Sequence, residues 1–137
     1  MQVKAALAKG LSVVATCRSS SDELEALDGP LHILPGLDVT KDSAPQDLVT
    51  FLKDKANWDT IDAVISISGL FTFDSLEELQ PDKMTKMYEV CAVGPLRILS
   101  HLALEGVLPK GGKVGMITSE GGSIGLRTDT EGGGNYG

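Results

Sequence analysis

A chain of 137 residues, 42% hydrophobic, 23% charged and only 4% aromatic, has the composition of one globular domain with an aliphatic core. That composition excludes a disordered, collagen-like or membrane-spanning protein. A net charge of −7, from 12 Lys+Arg against 19 Asp+Glu, leaves no basic face for nonspecific nucleic-acid binding.

At the start of the chain Val3, Ala6 and Leu7 share one helix face, and Gly10 suits a left-handed C-cap. There is no charged stretch followed by a long apolar run, so these residues do not read as a signal peptide. Leu11–Thr16 is a short strand. Ser20 and Glu23 have capping-box spacing, which predicts a short helix over 21–27 that ends near Gly29 and Pro30. Leu31–Leu34 is a second strand, and Pro35, Gly36 and Asp38–Thr40 lead out of it. Ser43 and Gln46 repeat the capping spacing with Pro45 in the tolerated first turn. Leu48, Phe51 and Leu52 then mark an amphipathic helix to about Ala56. Ile61–Ile67, apolar and β-branched nearly throughout, reads as a strand buried on both faces. Pro81 opens the longest helix, 81–105, with Met84, Met87, Tyr88, Cys91, Ile98, Leu99 and Leu102 on an inner stripe. Pro95 predicts a kink after Gly94. Lys113–Thr118 is a fourth strand, and the chain from Glu120 onward is a glycine-rich loop; ten of the 16 glycines lie beyond position 110.

Helices and strands alternate strictly. Long crossovers between successive strands imply an α/β fold, a doubly wound parallel sheet with helices on both faces. In such sheets ligands sit beyond the carboxyl ends of the strands. The segments to search are therefore Cys17–Ser20, Asp38–Thr40, Ser66–Phe71 and Ser119–Ile124. Cys17 and Cys91 are too few for a disulfide framework and read as reduced, buried thiols, which points to a reducing compartment such as the cytoplasm. His32 and His101, one in a strand and one in a helix, have no metal-ligand spacing with each other or with the cysteines.

Each strand end supports two readings. Arg18 is either a forked phosphate contact or a solvated surface cation. Asp38 either accepts from an adenine amino group or caps the helix after it. Ser66, Ser68 and Gly69 form a small polar strand end that a ribose could approach, or a plain turn. Ser119 could orient a carbonyl oxygen; without a neighbouring histidine or a G-x-S-x-G elbow it is a weak candidate for a hydrolase nucleophile.

Taken together, these pieces resemble the short-chain dehydrogenases/reductases. Val13–Arg18 looks like that family's second strand with a trailing arginine, and Leu37-Asp38-Val39-Thr40 matches its L-D-V-T element. Asp62–Gly69 stands where the family has its N-N-A-G strand end. Val90-Cys91-Ala92-Val93-Gly94-Pro95 resembles its V-N-x-x-G-P helix. Ile117-Thr118-Ser119 with Gly122-Ser123-Ile124 is similar to the segment that bears the active-site serine. The closing Gly-Gly-Gly-Asn-Tyr136-Gly137 is like the approach to Y-x-x-x-K in a C-factor-like branch. The resemblance implies a Rossmann-like fold and hydride transfer between a nicotinamide cofactor and a carbonyl or secondary alcohol. Ser119 would hold the substrate oxygen, and Tyr136, or the residue after Gly137, would be the acid–base. Arg18, Ser19, Asp38 and Val39 would meet the adenosine end, and Ser66, Ile67, Ser68 and Gly69 would line the ribose side. A cation and serines at the end of the second strand, where NAD specificity wants a carboxylate, favour NADP.

The departures from the pattern carry their own expectations. Cys91 replaces the relay asparagine, and Ser66-Ile67-Ser68-Gly69 replaces N-N-A-G. The glycine fingerprint for pyrophosphate, the strand before it and the lysine of Y-x-x-x-K are not in the chain. Residues 1–137 thus read as a partial dinucleotide-binding domain, without the first strand and the C-terminal part, and inactive alone. Omitting a central strand leaves a gap of about 10 Å between the strands at 11–16 and 61–67, so the chain is expected to be longer at both ends or held in a larger assembly. The helix 81–105 is a candidate homo-oligomer surface. The competing function is a non-catalytic binding or structural subunit.

Overall fold

The computed structural model describes residues 2–71, 77–78 and 80–119. In chain order these residues form α1 (Gln2–Leu7), β1 (Val13–Cys17), α2 (Asp22–Glu25), β2 (Leu31–Pro35) and α3 (Ala44–Asp54). They are followed by β3 (Ala63–Ser66), α4 (Pro81–Tyr88), a π-helical turn (Glu89–Val93), α5 (Gly94–Leu104) and β4 (Lys113–Met116). The expected alternation of helix and strand is present throughout.

Glycine acts where expected at the end of α1. Gly10 has φ +75°, and its amide reaches the Leu7 carbonyl at 2.8 Å. The Leu11 amide returns to Ala6 at 3.2 Å, closing the helix as a Schellman turn. The caps of the next two helices differ from expectation. Ser21, not Ser20, caps α2: it is extended, and its hydroxyl accepts from the Leu24 amide at 3.2 Å, whereas the Ser20 hydroxyl is buried without a partner among the described residues. Ser43 precedes α3 in helical conformation and makes no side-chain cap; Gln46 instead donates along the helix to Thr50. Pro45 near the helix start supplies the pre-set φ in its place.

Among the described residues four parallel strands form two separate pairs. β1 pairs with β2 from Val13↔Leu31 to Cys17↔Pro35, and β3 with β4 from Ala63↔Lys113 to Ser66↔Met116. β1 and β3 are not hydrogen-bonded neighbours, in line with the gap expected from the sequence. What joins the pairs is a common helical layer. Leu48, Val49 and Leu52 of α3 pack with Ile98 and Leu102 of α5, and with Leu37, Val107 and Leu108. Val14, Leu34 and Val64 bring β1, β2 and β3 onto that same cluster.

Adjacent strand residues point to opposite faces. On β1, half-buried Val14 faces the α3–α5 core and buried Ala15 faces the other side; α1 also contacts this strand. On β3, Val64 faces the core, but Ile65 and Ile67 are about half exposed. The strand at 61–67 is therefore covered on one face only. Its apolar composition matches a two-sided strand, and no described element covers the second side.

The long helix also departs from the sequence reading in its middle. Pro95 has no N–H to offer the carbonyl one α-helical turn back at Cys91. The chain widens ahead of the proline, and the Gly94 amide bonds to the Glu89 carbonyl five residues back. The irregularity thus lies at Glu89–Val93, before Gly94 rather than after it. Met87, Ile98 and Leu102 of the predicted inner stripe are buried, whereas Tyr88 is 61% exposed and Cys91 is also exposed. Both cysteines are unpaired thiols, but neither is buried: Cys17 is half-buried.

Candidate functional site

Parallel pairing brings the carboxyl ends of paired strands together. Beyond β1 and β2 the ladder continues for two more bonds, from the Gly36 amide to Arg18 at 3.2 Å and from the Leu37 amide to Cys17 at 3.1 Å. Arg18 and Ser19 are exposed beside the start of the Leu37–Thr40 segment. Beyond β3 and β4 the Ile117 amide bonds to the Ser66 carbonyl at 3.0 Å, which sets exposed Ser119 two residues past that junction.

The Asp38–Thr40 segment is a compact turn. One carboxylate oxygen of Asp38, Oδ1, accepts from the Thr40 amide at 3.0 Å and from the Thr40 hydroxyl at 2.8 Å. The Lys41 amide bonds to the Asp38 carbonyl at 2.9 Å. Asp38 is not the N-cap of α3, so its capping role is local to the turn. The Thr40 amide, then the Thr40 hydroxyl, hold the Asp38 carboxyl below its ordinary pKa of 3.8, against a smaller opposing effect of burial. A carboxyl with a depressed folded-state pKa stabilises the fold fully above pH 3.8, and that contribution is lost as pH falls through the folded value. An NMR titration of the Asp38 side chain should give a midpoint below 3.8, and Thr40→Val should bring it back up. A midpoint at or above 3.8 in the unsubstituted protein would contradict the turn.

The two strand-end loops meet on a single turn of the long helix. Cys91 faces the segment after β3: its sulfur accepts from the Leu70 amide at 3.4 Å, and its thiol donates to the Leu70 carbonyl at 3.5 Å. The thiol thus makes both a donor and an acceptor contact, weak ones, where an asparagine was expected. Three residues on, Gly94 faces the segment after β2, and a Cβ there would lie 2.7 Å from Val39 Cγ2 and 2.9 Å from the Val39 carbonyl oxygen. The structure therefore brings Val39, from the segment after β2, and Leu70, from the segment after β3, to the Cys91–Gly94 turn. An open cavity of about 300 Å³ adjoins it, lined by Thr40, Asp82, Thr85, Lys86 and Glu89.

Ser66 is half-buried, and Ile67, Ser68 and Gly69 are exposed. Tyr136 and the Gly122–Ile124 segment lie outside the described residues. Sequence reasoning missed the contacts of Gly94 and of Arg97, which bonds to the Val39 carbonyl at 2.9 Å. A signal was present: Arg97 is the only lysine or arginine in the mostly apolar stretch Gly94–Leu104, whose other polar side chains are Ser100 and His101. His32 packs edge-on against Trp58 with ring centroids 5.9 Å apart, which accounts for it without a ligand. Among the described residues no group of three His, Cys, Asp or Glu could hold a metal ion, and no helix is long and apolar enough to cross a membrane.

Parallel strands alternating with helices, with loops gathered at the strand ends, define a Rossmann-like α/β fold. No family model matches the chain. Over 128 residues it is 32% identical to 1-hydroxy-2-glutathionyl-2-methyl-3-butene dehydrogenase of Rhodococcus sp. (strain AD45), covering 93% of this chain and 53% of that enzyme. A short-chain dehydrogenase/reductase from Burkholderia multivorans, solved with bound NADP, superposes with a TM-score of 0.74 at 26% identity over 97% of this chain and 58% of that one. Serine dehydrogenase from Escherichia coli gives a TM-score of 0.74 at 22% identity, over 88% of this chain and 56% of its own, a likeness of fold alone. The chain spans little more than half the length of these proteins. In sequence and fold it is similar to the short-chain dehydrogenases/reductases.

Proposed function

We propose that this chain contributes the adenosine- and ribose-binding half of an NADP-dependent oxidoreductase that interconverts a carbonyl and a secondary alcohol. The observation that carries the reading is that Val39 of the Asp38–Thr40 turn and Leu70, which follows Ser66–Gly69, both contact one turn of the long helix. The residues fit the adenosine end of such a cofactor. Asp38 engages Thr40 through Oδ1, which leaves Oδ2 to accept from an adenine amino group. Arg18, exposed at the end of β1, would hold a 2′-phosphate through charge-assisted bonds with Ser19 beside it. The buried Ser20 hydroxyl, unpartnered among the described residues, adds a polar group next to that position. Ser66–Gly69 would line the ribose. The cofactor supplies the hydride; Ser119 would hold the substrate oxygen, and Tyr136 or the residue following Gly137 would move the proton.

Titration by nicotinamide fluorescence tests the reading. NADPH should bind more tightly than NADH, and Arg18→Ala should weaken NADPH about 10-fold, as loss of a charge-assisted contact does, while NADH changes little. No binding, or a preference for NADH that Arg18→Ala leaves unaltered, would overturn it. The same titration separates the second reading, a non-catalytic subunit. That reading is favoured by Cys91, whose thiol is engaged with the Leu70 backbone, and it is supported if neither NADPH nor NADH binds. Tyr88, Leu96 and Leu104, all more than half exposed along the outer side of the helix, support an association surface with a second copy. Sedimentation of the titrated sample reads that state directly; a monomer throughout the micromolar range removes this part.

A further inference from the structure

We infer that Arg97 is a positioning residue that clamps the Asp38–Thr40 turn against the long helix and thereby sets how tightly the adenosine end of a nucleotide is held. The second half of this inference rests on the reading of that turn as the adenosine-binding loop; the clamp itself does not.

Three nitrogens of one guanidinium meet three different acceptors. Nη1 donates to the Val39 carbonyl at 2.9 Å, Nη2 to Glu89 Oε1 at 3.1 Å, and Nε faces Asp42 Oδ1 at 3.5 Å. The contacts differ in weight. Asp42 is 98% exposed, so solvent screens that pair and it adds little. The Arg97 side chain is only 25% exposed and Glu89 37%, so the bonds to Glu89 and Val39 are the ones sheltered from water. Glu89 belongs to the π-helical turn, and its carboxylate orients the guanidinium, leaving Nη1 aimed at the turn.

Val39 is the residue between the two partners of the Asp38–Thr40 hydrogen bonds, so fixing its carbonyl fixes the peptide plane that carries the Thr40 amide. Gly94 supplies an independent reason to read the contact as a clamp. Its φ of −59° is ordinary for any residue, so glycine is required there by proximity and not by conformation. The turn is pressed onto the helix at backbone distance by Gly94 and fastened there by Arg97. A lysine cannot copy this, because one ammonium on a flexible stem has no planar fork to divide between a carbonyl and a carboxylate.

The test pairs a ligand-free readout with a binding one. In Arg97→Met, hydrogen exchange at the Thr40 and Lys41 amides should accelerate at least 10-fold, while the α3 amides of Leu48–Leu52 stay within about threefold of the unsubstituted protein. Affinity for 2′,5′-ADP, measured by calorimetry, should fall about 10-fold, and Arg97→Lys should recover only part of either effect. If Arg97→Met does not fold, Glu89→Gln decides the matter: it frees the guanidinium from its carboxylate and should speed the same two amides several-fold. Unchanged exchange at Thr40 and Lys41 in a folded variant overturns the clamp. So does acceleration of the α3 amides in step with the turn, which would mean general loosening. If exchange responds as expected while the unsubstituted protein does not bind 2′,5′-ADP, the clamp stands, and the nucleotide half falls together with the cofactor reading. Binding that survives Arg97→Met unchanged rejects the nucleotide half alone.

Discussion

Leu102→Ala should lower the unfolding free energy by about 2–5 kcal/mol, the usual cost of a buried leucine replaced by alanine. Leu102 is fully buried in α5 within the cluster that joins α3, α5 and the strand pairs. Two separate two-stranded pairs have little stability of their own. The protein therefore depends on that cluster more than a continuous sheet would. For a chain of this length total stability is roughly 7–20 kcal/mol, so this one substitution removes a large fraction. The comparison is Leu104→Ala on the same helix. Leu104 is 82% exposed, and its loss should change stability by no more than about 0.5 kcal/mol. Urea unfolding of both variants checks the pair; equal effects would mean that α5 does not face the core as described.

Gly94→Ala sets two effects of opposite sign against each other. Alanine in a helix is favoured over glycine by about 1 kcal/mol, and the Gly94 backbone already has helical angles. Against that, the new methyl group would lie 2.7 Å from Val39 Cγ2 and 2.9 Å from both Val39 Cβ and the Val39 carbonyl oxygen. Two of those atoms belong to or adjoin the backbone, so no side-chain rotation relieves the contact, and overpacking of this kind costs about 1–3 kcal/mol. The expected net result is destabilisation together with displacement of the Asp38–Thr40 turn. Gly106→Ala is the contrasting case, with open space around the position and a φ of +70° that penalises any side chain. Thermal unfolding with an NMR comparison of the Thr40 and Lys41 amides checks both. A Gly94→Ala protein more stable than the original, with those amides unmoved, would show that the helix and the turn are not in close contact.

Much of the fold was legible because it rests on local chemistry. The β-branched runs at Val13–Cys17 and Ala63–Ser66, the glycine after α1 and the proline at the start of α4 each act within a few residues, and each element formed where expected. Faces were less legible than elements. Ile65 and Ile67 have the composition of doubly buried residues, but exposure depends on what lies opposite, which no local pattern encodes. Cys91 fits the helical stripe at 3.6 residues per turn but falls within the wide turn at Glu89–Val93, where that period does not hold, whereas Tyr88 precedes the wide turn and is exposed all the same. Of the candidate site, Asp38 and Val39 could be picked from their motif, and Arg18 from its position at a strand end. Arg97 could not be assigned to them, because its partner Val39 is 58 residues away and is engaged through a carbonyl that every residue possesses.

The division of the strands into two pairs affects how the molecule opens. Within each pair the ladder is continuous, but between β1 and β3 there is none, so breaking one ladder does not unzip the other. The shared element is the α3–α5 layer, against which Val14, Leu34 and Val64 rest. Partial unfolding should therefore proceed in two sub-global units around a common hub, each able to open while the other keeps its hydrogen bonds. Only disruption of the hub itself couples them into a single cooperative transition.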